Sequence, residues 1–520
     1  MTARVFTGGR ILAMSASGTA TDVVVVDDGR IVAVGERGLA RSFPDAIVED
    51  LSGRILCPGF IDAHHHLSVS ALQPRWADLT AATSAEEIGV ALAEHAVREP
   101  ESAWIRGWGW TDMGTGLVPH RRDLDALGLD RPIIVAHYSL HQAVVDSRGL
   151  DDLGIGRTSS DPPAGAIGRD PDGFPDGLLV ERAWSEAHAR SLAPFSDPDR
   201  WADHIEVAAR RLLRDGITAI HDAACAPPAE AAYQALSAAG RLPISVVVMP
   251  HPTALLSALD TTRLSGPPTG EGDHHVRVGA IKLFADGGVL PAIDAHLGGE
   301  RLRVGTLFPD LTEQVERVVS RDFRVAVHAI GNAGLSGALD AFEATARRHP
   351  DVDHRFRVEH ACLASPSQLA RLARSGGVAV VQPGFLHHLG RAVEGVTFDD
   401  AGWLPFADIR RSGVVMAASS DAPCTFHEPL RAAGNGASRR TGSGAVLDLG
   451  QAVTYEDWLW AYTAGAAYAG GQEAERGTLR PGLQADLVVL EGELGPEQPP
   501  RVAETWVAGD LVYRAGAASD

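Results

Sequence analysis

From residue 204 onward the chain alternates Ala- and Arg-rich stretches with short apolar runs, and few folds accept that pattern. Residues 204–214 (HIEVAARRLLR) read as a helix leading to a strand over Ile217 to Ile220, and Val278 to Phe284 is another strand. Leu311 to Val319 reads helical and leads to Arg324 to Val327, and Leu335 to Ala346 leads to Phe356 to Val358. The helix near Gln368 to Arg374 leads to Val378 to Val381, and Phe406 to Arg411 leads to Val414 to Ala418. Strands alternating with helix-length segments predict a parallel sheet with crossover helices. The length of the series, with polar residues at successive strand ends, predicts an α/β fold built on a (β/α)8 TIM-like barrel rather than an open sheet.

The two ends differ in texture. Val23 to Val26 is β-branched, Asp27-Asp28-Gly29 signals a hairpin turn, and Arg30 to Val34 is the return strand. Ala485 to Leu490, Glu504 to Val507 and Leu511 to Tyr513 repeat that texture. These ends predict a small β-sandwich formed from both chain termini, its parts being residues 1–57 and 471–520, around a barrel over 58–470. The Gly-, Pro- and Trp-rich stretch from about Ser70 to Arg200 is expected to carry the second barrel strand and an insertion over the mouth. Gly434 to Gly444 reads as a surface loop.

Composition removes several function classes. Lys and Arg number 46 against 67 Asp and Glu, a net charge of −21 over 520 residues. Such a field attracts neither nucleic acid nor an anionic membrane. No apolar segment is long enough to span a bilayer, and the first residues lack the apolar core of a signal peptide. Cys57, Cys225, Cys362 and Cys424 form no CxxC pair, which predicts reduced, buried thiols in a cytoplasmic protein.

The chemistry starts at GFIDAHHHL, residues 59–67. Side chains alternate along a strand, so His64 and His66 are expected to point one way and His65 the other. Two imidazoles on one face grip a divalent cation, although an isolated pair is more often a surface or core feature. The other strand ends offer His221-Asp222, Lys282 followed by Asp286-Gly287-Gly288, His328, Glu359-His360 and Ser420-Asp421. Strand ends at one face of a barrel converge on its axis, and this set suits a hydrolytic site with one or two metals.

The ordered strings PGFIDAHHH, IKLFADGG, VAVHAIGNA, FRVEHA and SSDAP resemble the amidohydrolase superfamily, in the family 3 branch that includes N-substituted formamide deformylases. WIRGWGW, GITAIHDAA and RGTLRPGLQADLVVL extend the resemblance over nearly the whole chain. It implies that His64, His66 and Asp421 bind one metal and that His328 and His360 bind a second. It also implies that Lys282 is carboxylated by carbon dioxide and bridges the two. Zinc is the default for imidazole plus oxygen ligands. An ammonium repels two dications, so Lys282 joins only as a neutral amine or as a carbamate anion. An ion pair of Lys282 with Asp286 or Asp222 is the alternative, and a single-metal site stays open. Asp421 alternatively caps the helix that follows it.

The implied reaction is attack of metal-activated hydroxide on a carbonyl, with Asp421 as general base and then acid, cleaving a C–N bond in an amide, formamide, carbamate or cyclic amide. Asp62 is expected to orient a histidine from outside the ligand set. Candidate substrate contacts are Trp108, His141, His221 and Phe385, with Trp110 as a further aromatic wall. His387-His388 is expected at the pocket rim, and His274-His275 in solvent. Relatives tend to read Asp-Gly before the equivalent of His141 and Asp-Gly-Ala-Leu-Gly-Ser-Arg after the lysine, where this chain has Ser139-Leu140 and Asp286-Gly287-Gly288-Val289. The same hydroxide would cleave an ester or lactone. Deamination ranks lower, because no acid follows His328 in His328-Ala329-Ile330-Gly331-Asn332. A scaffold without catalysis would have lost ligands that this chain keeps. The partner is a small molecule, and analogy alone allows a homodimer.

Overall fold

The computed structural model describes residues 3–15, 21–113, 116–192, 197–251 and 262–516. Two parallel sheets form the middle of the molecule. One holds Phe60–His65, Ile217–Cys225, Ser245–Pro250 and Val276–Val278, each strand pairing with the next. The other holds Ile281–Phe284, Val325–Ala329, Arg357–His360, Val378–Val381 and Val415–Ala418. Backbone bonds link the two sheets at both sides. Gly279 N donates to Val248 O at 2.7 Å, and at the far side Asp421 N donates to His64 O at 2.8 Å. The strand read over Val278 to Phe284 is therefore broken at Gly279-Ala280, where a Cβ on Gly279 would lie 2.5 Å from Val247. Helices such as Pro198–Leu212, Pro227–Ala238, Leu311–Val319 and Asn332–Arg348 separate successive strands, giving the chain its α/β character.

Two expectations are corrected. Phe60–His65 pairs directly with Ile217–Cys225, so among the described residues no strand from the stretch near 70–200 enters either parallel sheet, and the strand missed by sequence reading is Ser245–Pro250. The 70–200 stretch instead builds its own six-stranded sheet, from Ala77–Asp78 to Pro175–Glu181, over a core that includes Leu92, Ile105, Trp110 and Val144. The second correction concerns Gly434 to Gly444, whose first half belongs to the helix Pro429–Ser438. Gly436 is buried there because Trp458 lies 2.3 Å from where a Cβ would sit, so the helix needs the missing side chain to pack. Arg439, at φ 58°, ends the helix and starts the loop.

The two ends of the chain meet. Arg30–Gly35, Val23–Asp27, Arg4–Thr7 and Ile47–Asp50 form one sheet. Arg10–Ile11, Ile55–Pro58, Leu487–Glu491, Arg501–Val507 and Asp510–Arg514 form another, mixing both termini. Phe6, Val24, Leu56, Leu487, Val489 and Trp506 share one core across these sheets, with Phe6 edge-on to Trp506 at 5.2 Å. Full burial of each such aliphatic side chain stabilises by about 1.5–3 kcal/mol. Val23 and Val25 face a separate cluster with Leu39 and Phe43, so the β-branched run is covered on both faces. Among the described residues, no helix is long and apolar enough to cross a membrane.

Candidate metal centre

His64 is the last residue but one of the strand Phe60–His65, and His66 lies just beyond it with its backbone at φ −116° and ψ 57°. That kink leaves the two rings 5.2 Å apart and aims both at one carboxylate. Asp421 Oδ1 stands 3.0 Å from His66 Nε2 and 3.2 Å from His64 Nε2. One ligand atom from each of the three lies within 4.8 Å of the others, a spacing that suits one divalent ion. Asp421 follows Val415–Ala418 and adopts φ 58°, a left-handed backbone that is costly outside glycine and frequent at functional sites.

The second ring nitrogens are tied down. His64 Nδ1 lies 2.5 Å from Glu359 Oε2, His66 Nδ1 2.8 Å from Ala223 O, and His360 Nδ1 2.9 Å from Gln382 Oε1. Each such partner makes Nδ1 the donor and turns Nε2 toward the centre, where that of His66 meets Asp421 Oδ1. His328 Nε2 is buried without any hydrogen-bond partner, and His64 Nε2 has the Asp421 carboxylate beside it, so both nitrogens are placed to bind a metal. The His328 and His360 rings are 4.5 Å apart, and His64 lies 5.0 Å from His360, which gathers the four imidazoles. Burial holds three of these rings in the neutral form that ligation needs: His64 and His328 fall well below the ordinary imidazole value, and His360 falls to about 4. Burial pushes the Asp421 carboxyl up, but the His66 hydrogen bond and the charges of His64 and His360 outweigh it and hold Asp421 below the usual carboxylate range.

Lys282 is buried beside this group, with Nζ 5.1 Å from the Phe284 ring centroid. Burial pulls its ammonium down to about 8, against the raising charges of Glu359 and Asp421. The carboxylates weighed as its ion-pair partners are engaged elsewhere. Asp286 accepts the N–H groups of Ala292, Ile330 and Gly331 at 2.9, 3.0 and 2.8 Å. Asp222 accepts from Ser68 N at 3.3 Å and Tyr233 Oη at 3.1 Å.

Asp62 does not orient an imidazole. Its oxygens accept Ser420 N at 2.9 Å, Ser420 Oγ at 2.5 Å and His64 N at 3.3 Å, so it fixes the backbone that carries His64 and Asp421. The orienting carboxylate is Glu359, which also accepts from Arg357 Nε at 2.8 Å. Arg357 is buried within an apolar strand and shares a face with Glu359, two residues on; that placement was the available signal. His221 is drawn into this network rather than to a pocket: its Nδ1 is 3.1 Å from Arg357 Nη1, and it lines neither of the cavities described next.

A narrow chamber of about 80 Å³ adjoins the ligands and is walled by His141, His328, His360, Phe385 and Asp421 among others. Phe385 stacks on His360 at 5.7 Å. A broad chamber of about 700 Å³ lies beside it, and Trp108, His387 and His65 line it. Trp110 is core, its Nε1 donating to Val135 O at 3.1 Å. His388 lines both chambers, whereas His274 is exposed. All four cysteines are free and buried, and Cys424 lines both chambers. Glu181, which sequence reading did not single out, holds His141 Nδ1 at 2.7 Å.

Residues 48–513 match the model of the amidohydrolase family. The chain is 30% identical over 527 residues to the N-substituted formamide deformylase of Arthrobacter pascens, covering 96% of each chain. Two solved structures, of uncharacterised metal-dependent hydrolases from Pyrococcus horikoshii OT3 and Pyrococcus furiosus, share the fold. The first has a TM-score of 0.74 and 23% identity over 95% of this chain and 98% of that one. The second has a TM-score of 0.72 and 24% identity over 94% and 99%. On the match to its family model and to the deformylase, the chain belongs to the amidohydrolase family and is a hydrolytic enzyme acting on carbon–nitrogen bonds.

Proposed function

We propose that this enzyme hydrolyses small N-acyl compounds, with formamides and short amides ahead of carbamates and cyclic amides. The observation that carries the reading is the set of buried imidazoles, His64, His66 and His360 tied at Nδ1 and His64 and His66 meeting Asp421 through Nε2, with Lys282 buried beside them. Similarity to a formamide deformylase supports the acyl class, and the narrow chamber of about 80 Å³ suits a formyl or acetyl group.

His64, His66 and Asp421 would hold one divalent ion, zinc by donor type, and His328 and His360 a second, with Lys282 between them. The buried Lys282 amine in its neutral form would add to carbon dioxide, exchanging one C–O π bond for an N–C bond and releasing one proton, and the resulting carboxylate would offer oxygen ligands. The metal, when bound, polarises a carbonyl and acidifies water. Asp421 takes the proton of the attacking water and returns it to the leaving nitrogen. His141, held by Glu181, faces the carbonyl oxygen as charge develops on it. In this reading the parallel strands close into an eight-stranded barrel over 58–470, and 1–57 with 471–520 make the sandwich. The free thiols fit a reducing cytosol.

The test is metal content by elemental mass spectrometry, together with amine release from matched N-formyl and N-acetyl amines. The expected result is about two metals per chain and faster release from the formyl compounds. About one metal demotes Lys282. No metal after reconstitution with bicarbonate, and no amine release, ends the reading.

A further inference from the structure

The lining of the broad chamber runs against the net charge of the chain. The chain carries 67 acidic residues against 46 basic ones, yet among the described residues no Asp or Glu lines this chamber of about 700 Å³. Arg211, Arg431 and His427 do line it. Another cavity of similar build, beside Arg75 and Arg106, is balanced by Glu99, Glu101 and Asp203 in its own wall. The Arg431 guanidinium carbon lies 3.8 Å from the Phe426 ring centroid, a contact that orients the group. Glu428 reaches Arg431 only at 3.6 Å, and Asp215 reaches His427 at 3.2 Å, both from outside the lining. Asp215 keeps His427 more readily protonated than an ordinary imidazole, against the opposing effect of burial. Arg211 extends from the helix Pro198–Leu212 and is exposed.

The broad chamber is also placed for substrate. Tyr138, His388 and Cys424 line both it and the narrow chamber, and Ala422 and Pro423, which follow Asp421, form part of its wall. A molecule with its acyl group in the narrow chamber would therefore extend its amine side toward the broad one.

We propose that the substrate carries an anionic group, a carboxylate in the simplest case, on its amine side, bound in the broad chamber by Arg211 and Arg431. The proposal rests on the reading of this site as an N-acyl hydrolase, and it is tested by binding so that the two can fail separately. The probes are 4-(formylaminomethyl)benzoate and its methyl ester, titrated calorimetrically into the metal-loaded enzyme, with amine release followed in parallel. The acid is expected to bind at least about tenfold tighter than the ester, a preference that shrinks with added salt. Arg431→Gln and Arg211→Gln, both at exposed positions, are expected to weaken the acid about tenfold more than the ester. Equal binding of the two probes, no binding of either, or equal loss in the variants overturns the proposal, even where both are hydrolysed. A preference for the acid without amine release upholds the anion site and overturns the hydrolase reading instead.

Discussion

His141 Nδ1 lies 2.7 Å from Glu181 Oε2, while the other oxygen of that carboxylate accepts the backbone N–H of Val289 at 2.9 Å and of Leu290 at 3.3 Å. One side chain from the 70–200 stretch thus fixes both an imidazole at the narrow chamber and the loop that follows Lys282. Glu181→Gln keeps the shape but weakens the grip on His141. It is expected to lower kcat/KM about 10- to 100-fold with little change in thermal stability. Unchanged kinetics would remove His141 from the reaction.

Gly288 gives a steric version of the same test. A Cβ there would lie 2.5 Å from His141 Cδ2 and 2.6 Å from its Nε2. Gly288→Ala is expected to displace the ring and cost between about tenfold and a hundredfold in kcat, since small misplacements at a reacting centre are expensive. Metal content should hold, which elemental analysis checks.

Lys282→Ala is expected to lose bound metal and activity. Short carboxylic acids should restore part of both by supplying the missing oxygens. Full activity without added acid would sink the bridging role.

Glu359 stands between His64 and the buried Arg357. Glu359→Leu strands that guanidinium, a loss of about 3–5 kcal/mol by denaturant unfolding. The double change Glu359→Leu with Arg357→Leu should recover much of the stability but not the metal affinity. Equal stability of the single and double variants would contradict the pairing.

Acid should unfold the metal-stripped protein early. Burial holds His221 at about 3 and His251 at about 4. Unfolded, both titrate near about 6.5, so between these values the unfolded chain binds more protons than the folded one. Their contribution is complete above about 6.5 and is lost as pH falls through the folded values. The thermal midpoint should drop on acidification below about 6.5, and His251→Gln should flatten the drop. A midpoint that rises on acidification would refute this.

The side chains that gather at the candidate centre were legible because each sits near the end of a locally recognisable strand: His64 after Phe60-Ile61, His328 after Val325–Val327, Asp421 after Val415–Ala418. What local pattern does not carry is membership of a particular sheet. Ile105–Trp110, Ile133–His137 and Ser245–Pro250 are all short and buried throughout, yet only the last joins the parallel sheet of His64. The kink at His66 also escaped, since strand alternation alone predicts a shared face and not the turn that sets it. Glu181 meets Val289 across 108 residues, a contact that no periodicity reports.

The strand just before the His64 strand, Ile55–Pro58, is paired with Leu487–Glu491, and Gly59 N donates to Asp486 O at 2.8 Å. On a translating ribosome this segment emerges early and must wait for more than 400 residues of later synthesis before its neighbour exists. The candidate ligands His64 and His66 therefore gain this support only once Leu487–Glu491 has been made, which ties the birth of activity to a segment far along the chain.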